Sequence, residues 1–584
     1  MKMKQALLGL AAMLVVFAAN ANAQVPALTV AMSGSSAIYQ ELGQAAYSKY
    51  GCIWVSPGKD FKLTDSRGNT KYGSSAPVAT DSGAAWVAWN ANGGTCAAPV
   101  AGETVVMDVS VDSTVGNRCF FATPQCALTT ADTTSTASGS ALPGTTNTST
   151  LPAGVLAAIG GPGATGTVSM NAAATDIRPE DAKFATLRAL TPCGNAVVAG
   201  SQYLGEGYNT SNAGVGTGIH EYNTATIFNV QDFNLSGSDP ISGSAVTNSA
   251  FTVTTVGAVP VVVVVNPANE NGLGSLQLSN INRATLSGYL DGTFGAITDG
   301  FLQGFSTAPT AGVIVAIREP VSGTYNTMEY AIANNVENQS SQDVGLAAYN
   351  TNLAGNSFPP YNCTATGGTV SENPLAETDL HNAATSYRVR EIGTGDEVAA
   401  VLGGLTPPGG SSVVKQDLLG YSFWSAANFK NATAQNAKYL TVDGIDPIQE
   451  TWVDGLVPTA GNELLGNVTM AHVKDGSYPI WSFVRVVSNA TTNTAVTALA
   501  TTAANFLSPS YPDFVAPGQM AIVRSHFVPP GTTLHCNAGV PSNGDAGNAE
   551  CGGDVGGLSI SQQADKDYDL DNGGLGNGDT AHRQ

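Results

Sequence analysis

Four short stretches of Ser, Thr and Gly have the composition of helix starts: Ser33-Gly34-Ser35-Ser36, Asp112-Ser113-Thr114, Ser322-Gly323-Thr324 and Gly393-Thr394-Gly395-Asp396. A helix start exposes N–H groups without intrahelical partners and a partial positive charge. Hydroxyls and amides gathered there can hold an oxyanion without a large net positive charge. Taken singly, each loop is explained as well by ordinary N-capping. Arg318 ends an apolar strand-like run four residues before Ser322, where its planar fork would hold two oxygens of a tetrahedral anion. The plain alternative is an ion pair with Glu319 or Glu329. Asp176, in Ala174-Thr175-Asp176-Ile177-Arg178-Pro179, has three readings: a helix cap, a partner of Arg178, or an acceptor for a proton still carried by a bound anion.

Searches for other chemistry are negative. The 584-residue chain has no Gly-x-Ser-x-Gly turn, no His-Glu-x-x-His and no Walker A loop, and its six histidines are scattered. A Ser-His-Asp grouping stays open, because its members need not be close in sequence. Asp565, Asp567, Asp569 and Asp571 alternate as in a calcium loop. Leu570, however, stands where an EF-hand needs Gly, and no Glu follows at the twelfth position, so the run reads as a solvated tail. The eight cysteines (Cys52, Cys96, Cys119, Cys126, Cys193, Cys363, Cys536, Cys551) are even in number with long, irregular spacings. That pattern favours structural disulfides over a zinc site, and Cys52–Cys96 and Cys536–Cys551 are the local pairings expected. No metal or cofactor is expected.

Charged residues make up only 11% of the chain, yet 44 Asp+Glu against 23 Lys+Arg leave a net charge of −21. A soluble domain carries about 25% charged residues. The acidity and the lack of any Lys/Arg cluster exclude nucleic acid and an anionic membrane surface as partners. With 43% hydrophobic residues, whole-chain disorder is excluded too.

The elements that must carry these loops follow from periodicity. Ala27–Met32 reads as a strand, and Ala37–Tyr50 as a helix with Ile38, Leu42, Ala45 and Ala46 on its apolar face. Val105–Val111 and Val168–Ala174 read as further strands. Gly257–Asn266 is a strand apolar on both faces, Gln277–Gly288 an amphipathic helix, Val313–Ile317 a buried strand and Asn326–Ala333 the helix after it. This alternation implies a parallel-rich α/β sheet. The Thr/Ser/Ala/Gly/Pro-rich tract Thr129–Gly166 reads as a surface loop or linker. Residues 1–23 read as a cleaved secretory leader: Lys2 and Lys4, an apolar run from Ala6 to Ala19, then Ala21-Asn22-Ala23. No membrane span is expected in the mature chain.

The order of these motifs resembles the periplasmic phosphate-binding proteins of ABC transporters, in the type II periplasmic binding protein superfamily. Ser33 to Gln40 is similar to that family's opening strand, small-residue turn and helix, with Ser36 where a ligand-binding Thr is usual. Asp112-Ser113-Thr114-Val115-Gly116 is similar to its Gly-Ser-Ser-Gly-Gly loop, which puts the binding serine at Ser113. Thr175-Asp176-Ile177-Arg178-Pro179 resembles its Ser-Asp-x-Pro loop and points to Asp176. Its Arg-x-x-x-Ser-Gly-Thr element stands unbroken as Arg318-Glu319-Pro320-Val321-Ser322-Gly323-Thr324. Further echoes are Gly393-Thr394-Gly395-Asp396-Glu397-Val398, Leu419-Gly420-Tyr421 and Tyr478-Pro479-Ile480. Departures are Ala37 in place of an aromatic, Asp112 and Val115 in place of glycines, and long insertions near 51–104, 120–166, 192–250 and 340–385. Asp112 adds a negative charge beside the supposed anion site.

The resemblance implies an α/β, two-lobed, type II periplasmic-binding-protein-like fold with long loop insertions. Its parts would be the leader 1–23, the first lobe 24–262, the second lobe 263–440, a return to the first lobe at 441–535, and a Gly/Asp-rich tail at 536–584. It implies a solute-binding protein of the periplasm, or secreted, that captures phosphate or a related oxyanion for uptake through an ABC permease and is not an enzyme. Arg318 would clamp the anion, Ser36, Ser113, Ser322 and Thr324 would donate to it, and Gly323 would let the backbone approach. Asp176 would accept its proton, favouring phosphate over sulfate. Arg318→Ala would abolish binding with little loss of fold. Two other readings are a cell-surface structural or interaction protein on the same scaffold, and an exported phosphatase.

Overall fold

The structure is a computed structural model that describes, with internal breaks, residues 26–177, 251–290, 313–331 and 387–521, and two short hairpins within 237–246 and 365–370. The expected leader 1–23, the expected Cys536–Cys551 pairing, Cys193, Cys363 and the segment from 536 onward lie outside the described residues.

A 15-stranded sheet runs through the described residues, and its strand order divides it into two halves. In the first, β1 (Ala27–Ser35) lies between β3 (Thr104–Val111) and β4 (Ala172–Thr175), parallel to both, and β2 (Val78–Asn90) runs antiparallel beside β3. In the second, β6 (Val313–Arg318) lies between β7 (Tyr387–Glu391) and β8 (Asp417–Phe423), again parallel to both. The link is β5 (Phe251–Val265). Its first ten residues pair antiparallel with β10 (Trp481–Asn489), whereas Val261–Val265 pair with β8 on one side and, from Val263, with β9 (Lys438–Val442) on the other. β10 closes the circuit by pairing antiparallel with β4. The chain thus crosses from one lobe to the other along a strand and returns, giving the two α/β lobes joined by crossing strands that the motif order implied.

Pro260 marks the crossing. It has no N–H to give a ladder, its carbonyl accepts from Trp424 N–H at 2.9 Å, and the next residue, Val261, donates to Ile480 C=O at 2.8 Å. Every residue from Val256 to Val265 is buried, as a valine-rich run with no polar face requires. The strand starts at Phe251 rather than Gly257 because its first residues pair with β10.

Helices follow the parallel strands: α1 (Ser36–Tyr50) after β1, α2 (Ser113–Phe121) after β3, and α4 (Gly323–Ala331) after β6; α3 (Arg283–Leu290) and α5 (Asn493–Asn505) complete the set used below. Ile38, Leu42, Ala45 and Ala46 of α1 are fully buried, and α1 packs against α5. Two glycines let elements approach closely. Gly34 has φ of +139°, and a Cβ on it would lie 1.9 Å from the Ala174 carbonyl oxygen, so β1 can meet β4 only without a side chain there. A Cβ on Gly116 would lie 2.4 Å from Ser33 O, which seats the start of α2 against the end of β1.

Three expectations need correction. The tract 129–166 is not all surface: it contains a short helix, Ala153–Ala158, and buries Leu142, Leu151, Val155 and Ile159. Sparse apolar residues sufficed because they complete a core that other segments already form. The single strand expected at 168–174 is two, Val168–Ser169 and Ala172–Thr175. Between them Asn171 acts as a backbone mimic, its amide accepting from Ala31 N–H at 2.8 Å and donating to Thr29 C=O at 3.1 Å. The helix expected at 277–288 starts at Arg283, because Asn280–Ile281 pair with β9 and Asn282 caps the helix by accepting from Thr285 N–H at 2.8 Å. Among the described residues no helix is long and apolar enough to cross a membrane.

Candidate functional site

The ends of β1, β3, β4 and β6 meet where the two lobes face each other. Ser35 caps α1, its hydroxyl accepting from Ala37 N–H at 3.1 Å, and this leaves Ser36 as the first helical residue. Ser36 shares a 3.1 Å hydrogen bond with Thr394, joining the first lobe to the second. Ser322 caps α4 in the same manner, its hydroxyl accepting from Thr324 and Tyr325 N–H at 3.1 and 3.4 Å. The cap explains why α4 begins at Gly323, three residues before the helix read from periodicity.

Arg318 lies at the centre, 1% exposed. One terminal nitrogen donates to Thr394 Oγ1 at 2.8 Å and to Thr324 Oγ1 at 3.4 Å; the other meets Asp112 Oδ1 at 3.2 Å. Its Nε is 4.0 Å from Glu397 Oε2. Glu397 Oε1 accepts from Tyr421 N–H at 3.0 Å, and the Tyr421 hydroxyl accepts from Arg318 N–H at 3.3 Å, a brace that fixes the strand end and the guanidinium together. Glu319 and the Glu329 side chain, the partners first considered for Arg318, lie outside the described residues, as does Arg178. The expected tolerance of Arg318→Ala does not fit this burial. Truncation would remove the charged partner of the Asp112 carboxylate, 5% exposed, and breaking a buried ion pair costs about 3–5 kcal/mol.

Asp176 sits opposite α4. It accepts a hydrogen bond from the Ser113 hydroxyl, and its own N–H donates to Ser113 Oγ at 3.4 Å. A Cβ on Gly323 would overlap its carboxylate, so glycine is what admits Asp176 to this face of α4. Burial pushes the carboxyl up to about 6, with the Ser113 hydroxyl and, more weakly, Arg318 pulling the other way. Its Oδ2 is buried without a hydrogen-bond partner, and so are the hydroxyls of Ser33 on β1 and Thr114 in the first turn of α2. Unpaired buried polar atoms are costly, and the Asp176 Oδ2, facing the start of α4, is a group ready to bind something. Two residues of β10 hold the Asp176 main chain: Ser482 Oγ and Arg485 Nη1 donate to its carbonyl at 3.0 and 3.4 Å.

Ser36, Ser113, Asp176, Arg318, Ser322, Gly323 and Thr324 therefore form one connected cluster, with Thr394, Glu397, Tyr421 and Asp112 added. Thr394 was within a loop already singled out by composition. Ser482 and Arg485 carried no local signal.

The open Ser-His-Asp possibility has a concrete candidate in Ser477, His472 and Asp475. Ser477 Oγ and Asp475 Oδ2 approach the same ring nitrogen, Nδ1, at 3.2 and 3.8 Å, while Nε2 faces the Glu450 carbonyl at 3.2 Å. A relay needs the carboxylate and the hydroxyl on opposite nitrogens, so this is a turn motif. Among the described residues no group of three or more His, Cys, Asp or Glu could hold a metal ion.

No family model and no curated protein matches the chain. Solved structures do. PstS from Borrelia burgdorferi is 13% identical over 44% of this chain, with a TM-score of 0.22, and the chain spans 66% of its length. The phosphate binding protein of Stenotrophomonas maltophilia is 13% identical, covering 71% of this chain and 80% of that one, with a TM-score of 0.27. The ancestral soluble variant of the human phosphate binding protein is 12% identical, covering 86% and 95%, with a TM-score of 0.30.

Proposed function

We propose that the chain is an exported solute-binding protein that captures phosphate or a related oxyanion between its lobes, with delivery to an ABC permease as its use. The observation that supports this best is the setting of Arg318. Its buried guanidinium donates to the hydroxyls of Thr394 and Thr324, Thr394 in turn bonds to Ser36 at the start of α1, and Ser113 at the start of α2 donates to Asp176, which lies against the start of α4. Such a site gathers hydroxyls around one buried positive charge, with the carboxyl groups of Asp112, Asp176 and Glu397 nearby, and a guanidinium with hydroxyl donors can hold an anion without covalent chemistry. In this reading Arg318, Ser36, Ser113, Thr324 and Thr394 donate to the anion, and Ser322 and Gly323 shape the α4 start. Asp176, poised near neutral pH, accepts the proton that phosphate carries and sulfate lacks.

The test is calorimetric titration of the dialysed mature chain with phosphate and with sulfate. Phosphate should bind and sulfate should not. Arg318→Lys keeps the charge opposite Asp112 but loses the fork, so it should weaken phosphate binding at least tenfold while the folded state persists. Undiminished binding by that variant would remove Arg318 from the site.

A further inference from the structure

We propose that Asp112 is an internal counter-ion for Arg318 that competes with the anion for the guanidinium and thereby sets the site's affinity. The inference rests on the anion reading above and concerns what the anion must displace. Asp112 belongs to the first lobe, at the end of β3, where its carbonyl accepts the first α2 hydrogen bond from Gly116 N–H at 2.9 Å. Arg318 belongs to the second lobe, at the end of β6. Their 3.2 Å contact therefore crosses the cleft, and it joins the Ser36–Thr394 bond in tying the lobes together. It also divides the guanidinium: one terminal nitrogen serves the Thr394 and Thr324 hydroxyls, the other a carboxylate.

Two consequences follow from elementary electrostatics. An entering oxyanion that uses both prongs of Arg318 must push the Asp112 carboxylate aside, and if it shares the guanidinium it meets a like charge in a site shielded from water. The ion pair also supplies, across the cleft, attraction of the kind that a bound anion would supply. Asp112 thus lowers affinity and helps to hold the lobes together.

Asp112→Asn tests this, because it keeps the size and the helix-start hydrogen-bonding capacity and removes the charge. Asp112→Ser, also a good helix-start residue, is measured beside it so that poor folding of one variant does not decide the matter. Two readouts are taken: phosphate affinity by calorimetry, and radius of gyration by X-ray scattering in phosphate-free buffer. The expected result is phosphate binding at least tenfold tighter than wild type in both variants, a change that a merely structural role for Asp112 would not produce. Equal or weaker binding would overturn the proposal. If neither wild type nor variants bind phosphate, the anion reading fails and the scattering decides. A larger radius for the variants than for wild type would then uphold Asp112 as the tie between the lobes, and equal radii would overturn that as well.

Discussion

Gly323→Ala probes how closely the lobes meet. The new Cβ would lie 1.5 Å from Asp176 Oδ1 and 2.0 Å from its Cγ, whereas real Cβ atoms essentially never come within 3.0 Å of such neighbours. The obstacle is a side-chain end, so the carboxylate can retreat by about 1.5 Å; what it loses is the Ser113 hydrogen bond. A hydrogen bond to a charged group contributes about 1.5–3 kcal/mol, and alanine in place of glycine in a helix returns up to about 1 kcal/mol. The net expectation is a destabilisation of about 1–2 kcal/mol, measured by urea unfolding. Without the contact, the same substitution would be neutral or stabilising. Asp176→Ala removes the obstacle, so the double variant should be less destabilised than the sum of the two singles by about 1 kcal/mol or more. Additive effects, or a Gly323→Ala protein as stable as wild type, would refute the juxtaposition.

Other measurements bear on the interior. Asp108 is fully buried on β3, and desolvation pushes its pKa up to about 8 against the weaker pull of the Val109 N–H. For a carboxyl whose folded value is raised, stability is fully present below the unfolded value near 4 and is lost as pH rises through the folded value. Asp176 and Asp513 complete this loss around pH 6, and from pH 6 to 8 Asp108 lowers stability by at most about 1.4 kcal/mol per unit, beside buried Glu41, whose carboxyl burial and Asp513 also hold well above its ordinary value. Asp108→Asn should lessen the wild-type fall in Tm across that range, and an unchanged slope would show that Asp108 does not contribute to it. The disulfides Cys52–Cys96 and Cys119–Cys126 close loops of 44 and 7 residues, for which chain-entropy arguments give about 4 and about 2 kcal/mol. Paired Cys→Ala substitutions should therefore cost more at the first pair than at the second, and the reverse order would count against the entropic account.

What was legible in the sequence was local. A strand running into a Ser/Gly turn and then a helical period announces itself within twenty residues, and so α1 could be read directly, while α2 and α4 could be read only from the Ser/Thr/Gly composition of the loops that open them. Cys52–Cys96 was also accessible, as the nearest large-loop pairing. The partners of those starts were not. Arg318 finds Asp112, which is 206 positions away, and Asp176 is held by Ser482 and Arg485 from more than 300 positions away. Hydrophobic period fixes which face of a strand is buried, but it does not fix which distant strand lies alongside. Cys119–Cys126 went unread because even cysteine counts leave connectivity free. The buried residues of 138–159 went unread because composition averages hide a few well-placed apolar side chains.

The route of the chain also sets a timetable for its synthesis. β4 is flanked on one side by β1, made well before it, and on the other by β10, which begins roughly 300 residues later. At ~5–20 residues per second that interval is about 15–60 s. Throughout it the nascent first lobe carries an open β4 edge, its N–H and C=O groups unpaired, beside the fully apolar Ala172, Ala173 and Ala174. An exposed edge of that kind invites pairing with another chain. The protein's most vulnerable period is therefore before completion, and any cell that makes it must keep the emerging chain apart from its neighbours until the last strand arrives.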